Sequence, residues 1–207
     1  GGLFESDKGH HHFMLYLPNI TLVAVSSVEL SGTDLALQIS SHDIEFAAIK
    51  FLSSEEWVPS NPKIQMIKIP KLDLVGYSKF ILGDLYRYVE TEYCLVVQSD
   101  GFVLNASKWN PVFLEFDYIG APWPMDLKLQ PGNIELDLAR NSVGNGGFSL
   151  RSRRLLETTS KIVFDDLDFP TKSEDLILCH FLYQEMVNSG VKFPNPELAA
   201  QFSIESP

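Results

Sequence analysis

Short β-branched apolar runs alternate along the chain with stretches whose apolar residues recur at helical spacing. Ile20 to Val25 is mostly apolar and ends in Ser26-Ser27, which predicts a strand. Gly32-Thr33 opens a helical stretch with Leu35, Ile39 and then Ile44 on one side and Thr33 as its N-cap. Phe46 to Leu52 and Lys63 to Ile69 read as strands, separated by a loop from Trp57 to Pro62 that Pro59 and Pro62 keep irregular. Ser78 caps the next helix, in which Ile81, Leu85 and Val89 repeat every fourth residue. Tyr93-Cys94-Leu95-Val96-Val97 then shows no polar alternation. A run that short and that apolar predicts a strand covered on both faces. This alternation predicts an α/β fold with a largely parallel sheet flanked by helices.

The second half is less regular. Phe116 to Ile119 predicts a short strand, followed by a rigid turn at Gly120-Ala121-Pro122-Trp123-Pro124. Residues 125 to 142 read as a long, partly extended loop. Gly144-Asn145-Gly146-Gly147 leads into a strand at Phe148-Ser149-Leu150 and a helix from Ser152 to Ile162. Ser173 caps a helix with Leu176, His180, Tyr183 and Val187 on one stripe and Gly190 as its stop. A last helical piece spans Glu197 to Phe202.

Length and composition narrow the classes. The chain has 207 residues, 45% hydrophobic and 21% charged, as an ordinary globular protein does. The reading is a peripheral segment over 1–17 and a single domain over 18–207. Lys and Arg number 16 against 27 Asp and Glu, a net −11 that excludes a general nucleic-acid binder. A polyanionic small substrate would need a local countercharge, from a cation or a few placed Arg and Lys residues. Cys94 and Cys179 lie in apolar runs and read as buried reduced thiols. No apolar run approaches the ~18 residues of a membrane span, and no signal peptide is visible. A cytoplasmic protein, or one peripheral to the inner membrane, is expected. His10, His11 and His12 read as a disordered terminus rather than a metal tract.

Four places carry candidate chemistry. Gln98-Ser99-Asp100-Gly101 follows the buried strand, where open α/β sheets collect ligands. Asp100 there offers a hard oxygen to Mg²⁺ or Mn²⁺, and Gly101 lets backbone approach a ligand. The plainer reading is an Asx-turn. Gly144 to Gly147 leaves backbone uncovered, for positive φ or for close approach, yet a loose hairpin would do the same. Arg151, Arg153 and Arg154 suit phosphate oxygens or a solvated helix start. Glu174-Asp175 begins a helix, where acids are ordinary dipole partners. Adjacent helix residues diverge by about 100°, so at most one can face a given cleft as a base. Asp165, Asp166 and Asp168 read as a solvated loop, and His42 and His180 as isolated residues. No Gly-x-Ser-x-Gly or His-Glu-x-x-His occurs, and Phe102 stands where an aspartyl phosphatase needs its second acid.

Five segments in this order carry a resemblance: Tyr93 to Phe102, Phe116 to Trp123, Val143 to Ser152, Ser173 to Asp175 and Ala199 to Glu205. They resemble a family of uncharacterised bacterial domains that is in turn similar to GT-A-fold glycosyltransferases, over about residues 18–207. The resemblance implies a GT-A-like, Rossmann-like, mostly parallel mixed sheet that binds a nucleotide sugar. Asp100 matches the last acid of the metal-binding Asp-x-Asp motif of such enzymes. Gln98 stands where the first acid would be and supplies no charge, which implies weak metal holding. The glycine segment matches a loop shaping the donor-sugar and acceptor pocket. Glu174-Asp175 matches the acidic pair that supplies the base in inverting members.

The implied reaction is transfer of a sugar from a nucleotide-diphosphate sugar to a hydroxyl acceptor, a glycan or a related molecule. Asp175 or Glu174 deprotonates the acceptor. Mn²⁺ or Mg²⁺ at Asp100, or else Arg151, stabilises the departing diphosphate. Gln98, Ser99, Asp100, Gly101 and Arg151 belong to the donor site, with Ser26, Ser27 and Glu29 added by position after the first strand. Tyr118, Trp123, Asn145, Gly146 and Gly147 belong to the sugar and acceptor pocket. A second reading is a module of the same fold that binds glycan or protein without catalysis.

Overall fold

The computed structural model describes residues 13–129, 134–164 and 168–204. The first strand, β1, runs Leu15–Val25, so residues 15–17 already belong to the sheet. Its pairing shifts register between Leu17 and Thr21, where Pro18 has no N–H to give to a neighbour. Helix α1 spans Leu30–Ser40, and β2 (Ile44–Ser53) and β3 (Ile64–Lys68) follow. Helix α2 (Leu74–Lys79) continues as a π-helical turn over Phe80–Asp84 and a 3₁₀ turn over Leu85–Tyr88. Then come β4 (Tyr93–Val96), β5 (Tyr118–Ile119) and a separate small hairpin of β6 (Lys128–Leu129) and β7 (Ile134–Glu135). The chain closes with β8 (Ser149–Ser152), α3 (Arg153–Thr159), α4 (Glu174–Leu176), α5 (Tyr183–Asn188) and α6 (Pro196–Phe202).

Six strands form one sheet in the order β3-β2-β1-β4-β8-β5. The first four are mutually parallel, and β8 runs antiparallel to both β4 and β5. The α/β reading, a mostly parallel mixed sheet flanked by helices, therefore holds. The β4 run is central and buried: Leu95 and Val97 join the core on one face with Leu22, Ala24 and Phe51. Cys94 and Val96 join the opposite core with Val23, Val25, Ile81 and Leu85. Both cysteines are free and buried, and burial pushes the Cys94 thiol up to about 12.

Helix details depart from expectation where local spacing misleads. Helix α1 starts three residues before Thr33, whose N–H already donates to Glu29 O at 2.9 Å. Its buried residues are Thr33, Asp34, Ala36, Leu37 and Ser40, while Leu35 is 55% exposed. Leu35 and Ile39 mark the outer side, and Leu37 is the large apolar residue that the helix gives to the core. Asp73, not Ser78, caps α2, accepting the Gly76 N–H at 2.7 Å. Ser78 is instead buried and donates to Lys172 O. The single helix expected from Ser173 breaks into α4, a π-helical turn over Ile177–Phe181 and α5, and ends at Gly190 with φ 83°. His10–His12, Asp165 and Asp166 lie outside the described residues. Among the described residues no helix is long and apolar enough to cross a membrane.

Candidate functional site

The chain leaves β1 toward β2 on one side and reaches β4 on the other, so the strand order reverses between β1 and β4. Ligand crevices of open α/β sheets form at such a point, beyond the carboxyl ends of the strands. A cleft opens there in two halves. The first, about 530 Å³, is bordered by Ser26, Ser27, Glu29, Asp73 and Ser99. The second, about 910 Å³, is bordered by Asn145, Gly146, Gly147, Asp175, Phe148 and Phe202. Leu74, Tyr77, Gln98 and Asp100 border both.

The seam is built by a tight turn. Gln98 N–H donates to Gly101 O at 3.0 Å and Gly101 N–H to Gln98 O at 3.2 Å, leaving Ser99 and Asp100 at the tip. Asp100 is exposed and faces both halves. Ser99 Oγ donates to the Glu29 carboxylate, and the Gln98 Nε2–H to the Tyr77 hydroxyl oxygen at 2.8 Å. Ser26 Oγ accepts the Glu29 N–H at 3.4 Å, and Ser27 Oγ accepts the Ser54 N–H at 2.9 Å. These hydroxyls fix the loop after β1 beside the turn after β4.

The glycine loop closes the second half. A Cβ on Gly144 would lie 1.8 Å from the Trp123 ring, and one on Gly146 1.7 Å from Glu174 Oε1. The bare backbone thus accommodates the protein's own side chains. Positive φ falls on Asn145, at 62°, a conformation asparagine tolerates better than most residues. The Asn145 N–H donates to Asp175 Oδ2 at 3.2 Å. Both neighbouring acids line the second half, but only Asp175 is half-buried there, whereas Glu174 is buried. Glu174 turns inward, its Oε1 2.7 Å from Arg151 Nη2 and its Oε2 buried without a hydrogen-bond partner. Burial raises the Glu174 carboxyl above its ordinary value although Arg151 pulls it down.

Three expected site residues lie behind the cleft. Arg151 is 1% exposed: Nε donates to Ser149 Oγ at 2.9 Å, and the guanidinium lies over the Tyr118 ring at 5.3 Å. It supports the wall and does not reach a donor phosphate. Tyr118 is 0% and Trp123 5% exposed, both packed in the core beneath the loop, so neither stacks on an acceptor sugar. Their apolar bulk is used on Leu155, Leu178 and neighbouring core residues. Conversely, the sequence reading passed over Tyr77, Asp73 and Lys108. Asp73, three residues before Gly76 in an N-cap spacing, was the signal that would have put Tyr77 on a helix.

Charge at the cleft is negative. Glu29, Asp73 and Asp100 border the first half with no Lys or Arg among its described lining residues, and Lys108 is the cation of the second. Among the described residues no three His, Cys, Asp or Glu side chains gather to hold a metal ion. One exposed carboxylate and one neutral amide, Asp100 and Gln98, do not fit a resident divalent ion.

Residues 63–207 match the model of a family described as "Protein of unknown function (DUF5672)". A comparison with curated proteins gives no match. Among solved structures, the chain is similar to "Mannosyltransferase PcManGT from Pyrobaculum calidifontis in complex with GDP-Man and Mn2+", with 10% identity and a TM-score of 0.40. That likeness covers 70% of this chain and 48% of the other, so the chain spans about half its length.

Proposed function

The chain belongs to the DUF5672 family, and from its divided cleft we propose that it is a GT-A-like glycosyltransferase, moving a sugar from a nucleotide-diphosphate sugar to a hydroxyl acceptor. The observation that carries this reading is the pairing of two half-clefts across one seam, with the half-buried Asp175 carboxylate in the second half beside the buried Glu174. The first half, beside Ser26, Ser27 and Glu29 at the switch point, takes the nucleoside. The second takes the acceptor, a glycan or other hydroxyl compound, beside Asn145, Gly146 and Gly147.

Asp175 is the base in this reading. The Asn145 N–H orients one oxygen, and the carboxylate takes the acceptor's proton as the new glycosidic bond forms. Glu174, spent on Arg151, holds the wall and the loop in place. A divalent ion, Mn²⁺ or Mg²⁺, belongs here to the substrate: it accompanies the diphosphate and offsets the acidic cleft, with Asp100 as the one protein carboxylate at the seam.

The test is release of nucleoside diphosphate from a panel of nucleotide sugars, with and without Mn²⁺. Asp175→Asn should cut turnover about 10²- to 10⁴-fold while donor binding persists. Asp100→Asn should remove any tightening of Mn²⁺ binding by UDP or GDP without lowering the melting temperature. Full turnover in both Asp175→Asn and Glu174→Gln would overturn the base assignment. The neutral Gln98 favours a second reading, a non-catalytic module that binds glycan or protein, and absence of turnover across the panel would select it.

A further inference from the structure

Tyr77 stands where the two halves of the cleft meet. It lies on α2 and borders both halves, together with Gln98 and Asp100. Its hydroxyl oxygen accepts the Gln98 Nε2–H at 2.8 Å. A phenol that accepts through oxygen still has its own O–H to donate. Gln98 is confined on its other side: a Cβ on Gly147 would lie 2.6 Å from Gln98 Oε1. Backbone bonds on both sides of the turn fix the residue that carries this amide. The phenol is therefore a positioned donor. Burial first, and then the charge of Glu174, push its pKa up to about 12, so the proton is present at neutral pH.

The cleft has a use for such a donor. A diphosphate entering the first half meets Glu29, Asp73 and Asp100 without a lining Lys or Arg. Arg151, the cation that sequence placed there, is committed beneath the wall. An O–H group opposes a phosphate oxygen without adding charge to the protein and without a second carboxylate to hold a metal.

We propose that Tyr77 binds the distal phosphate of the donor diphosphate through its O–H, with Gln98 as the positioning residue that holds the phenol. The role rests on the glycosyltransferase reading. The acceptor oxygen bonds to the anomeric carbon as the bond from that carbon to the distal phosphate oxygen breaks. The electron pair stays on the phosphate oxygen, and the acceptor proton passes to Asp175. Tyr77 keeps its proton and its hydrogen bond strengthens as charge builds on that oxygen. Gln98 thus serves the diphosphate by orienting a donor, where an acid would serve it by holding a cation.

Calorimetry of UDP, GDP, ADP, CDP and dTDP, and of the matching monophosphates, all with Mg²⁺, tests this on the unaltered chain and on Tyr77→Phe. Tyr77→Phe should weaken the preferred diphosphate about tenfold and leave its monophosphate unchanged, since only the distal phosphate loses a partner. Gln98→Leu should weaken the same diphosphate by a smaller factor, and it carries the test if Tyr77→Phe melts well below the unaltered chain. Diphosphate and monophosphate binding that stay unchanged in the variants, or fall equally, would overturn the Tyr77 role alone. Failure of the unaltered chain to bind any of these nucleotides would overturn the glycosyltransferase reading, and the Tyr77 role with it.

Discussion

Arg151 in β8, reaching toward the cleft, and Arg154 in α3, on the side away from it, each meet a carboxylate, and the two carboxylates respond in opposite directions. At the cleft end, Glu174 receives one hydrogen bond, from Arg151 Nη2 at 2.7 Å, and keeps Oε2 unpartnered. At the far end, Asp117 accepts from Ser152 Oγ at 2.6 Å, Arg154 Nε at 3.1 Å and the Lys192 N–H at 2.8 Å, with a further contact to Arg154 Nη2. Burial works upward on both. It prevails at Glu174, whereas Arg154, Ser152 and the Lys192 N–H together hold Asp117 below its ordinary value. An arginine alone does not keep a carboxylate acidic: Glu174 is held up by burial and by the neighbouring Asp175 charge, whereas Asp117 has several donors that replace lost water.

Removing Arg151 should break the contrast most severely. Arg151→Met leaves Glu174 buried with neither oxygen paired, at a cost of about 3–5 kcal/mol. A chain of this size should then melt roughly 10 °C lower, as calorimetry would show. Next comes Asp117→Asn, which strips charge from hydrogen bonds at the far end and should cost about 2 kcal/mol. Its pH signature sharpens the comparison. A depressed carboxyl gives stability that is present above its unfolded value and lost as pH falls through the folded one, so this contribution begins to fade below about pH 4. A raised carboxyl works the other way: Glu174 makes the fold more stable as pH falls into the carboxylate range. Acid titration of melting temperature should therefore flatten in Asp117→Asn, and unchanged acid sensitivity would contradict the donor count. Ser152→Ala is the mildest change. It removes one donor to Asp117 and the cap on the Leu155 N–H, for about 1 kcal/mol.

Sequence made the layers legible and the site only in outline. Five unbroken apolar residues announced β4, because a strand with cores on both faces has nowhere to put a polar side chain. The acid at its end, Asp100, does lie in the cleft. Spacing failed on α1, where Leu35 and Ile39 looked like the core face but Thr33, Ala36 and Leu37 are the buried ones. It failed again at Arg151: a residue type suited to phosphate is equally suited to a buried carboxylate, and only the fold brings Glu174, 23 positions away, beneath it. Glycines told that something approaches closely, and not that the visitors are Trp123 and Glu174. Tyr77 was invisible because its meaning comes from Gln98, 21 residues distant.

The strand order also governs how the molecule meets its own copies. The sheet ends in β3 on one side and β5 on the other, and unpaired backbone there could recruit a neighbour's strand. Strand β5 offers two residues before Gly120 and Pro122, too little to template a ladder. Strand β3 offers five, but it follows Pro62 and Lys63 and finishes on exposed Lys68. Another copy aligned along that edge would bring its lysines against these and find no N–H at Pro62. The borders that delimit the fold thereby discourage edge-to-edge stacking of one copy on another.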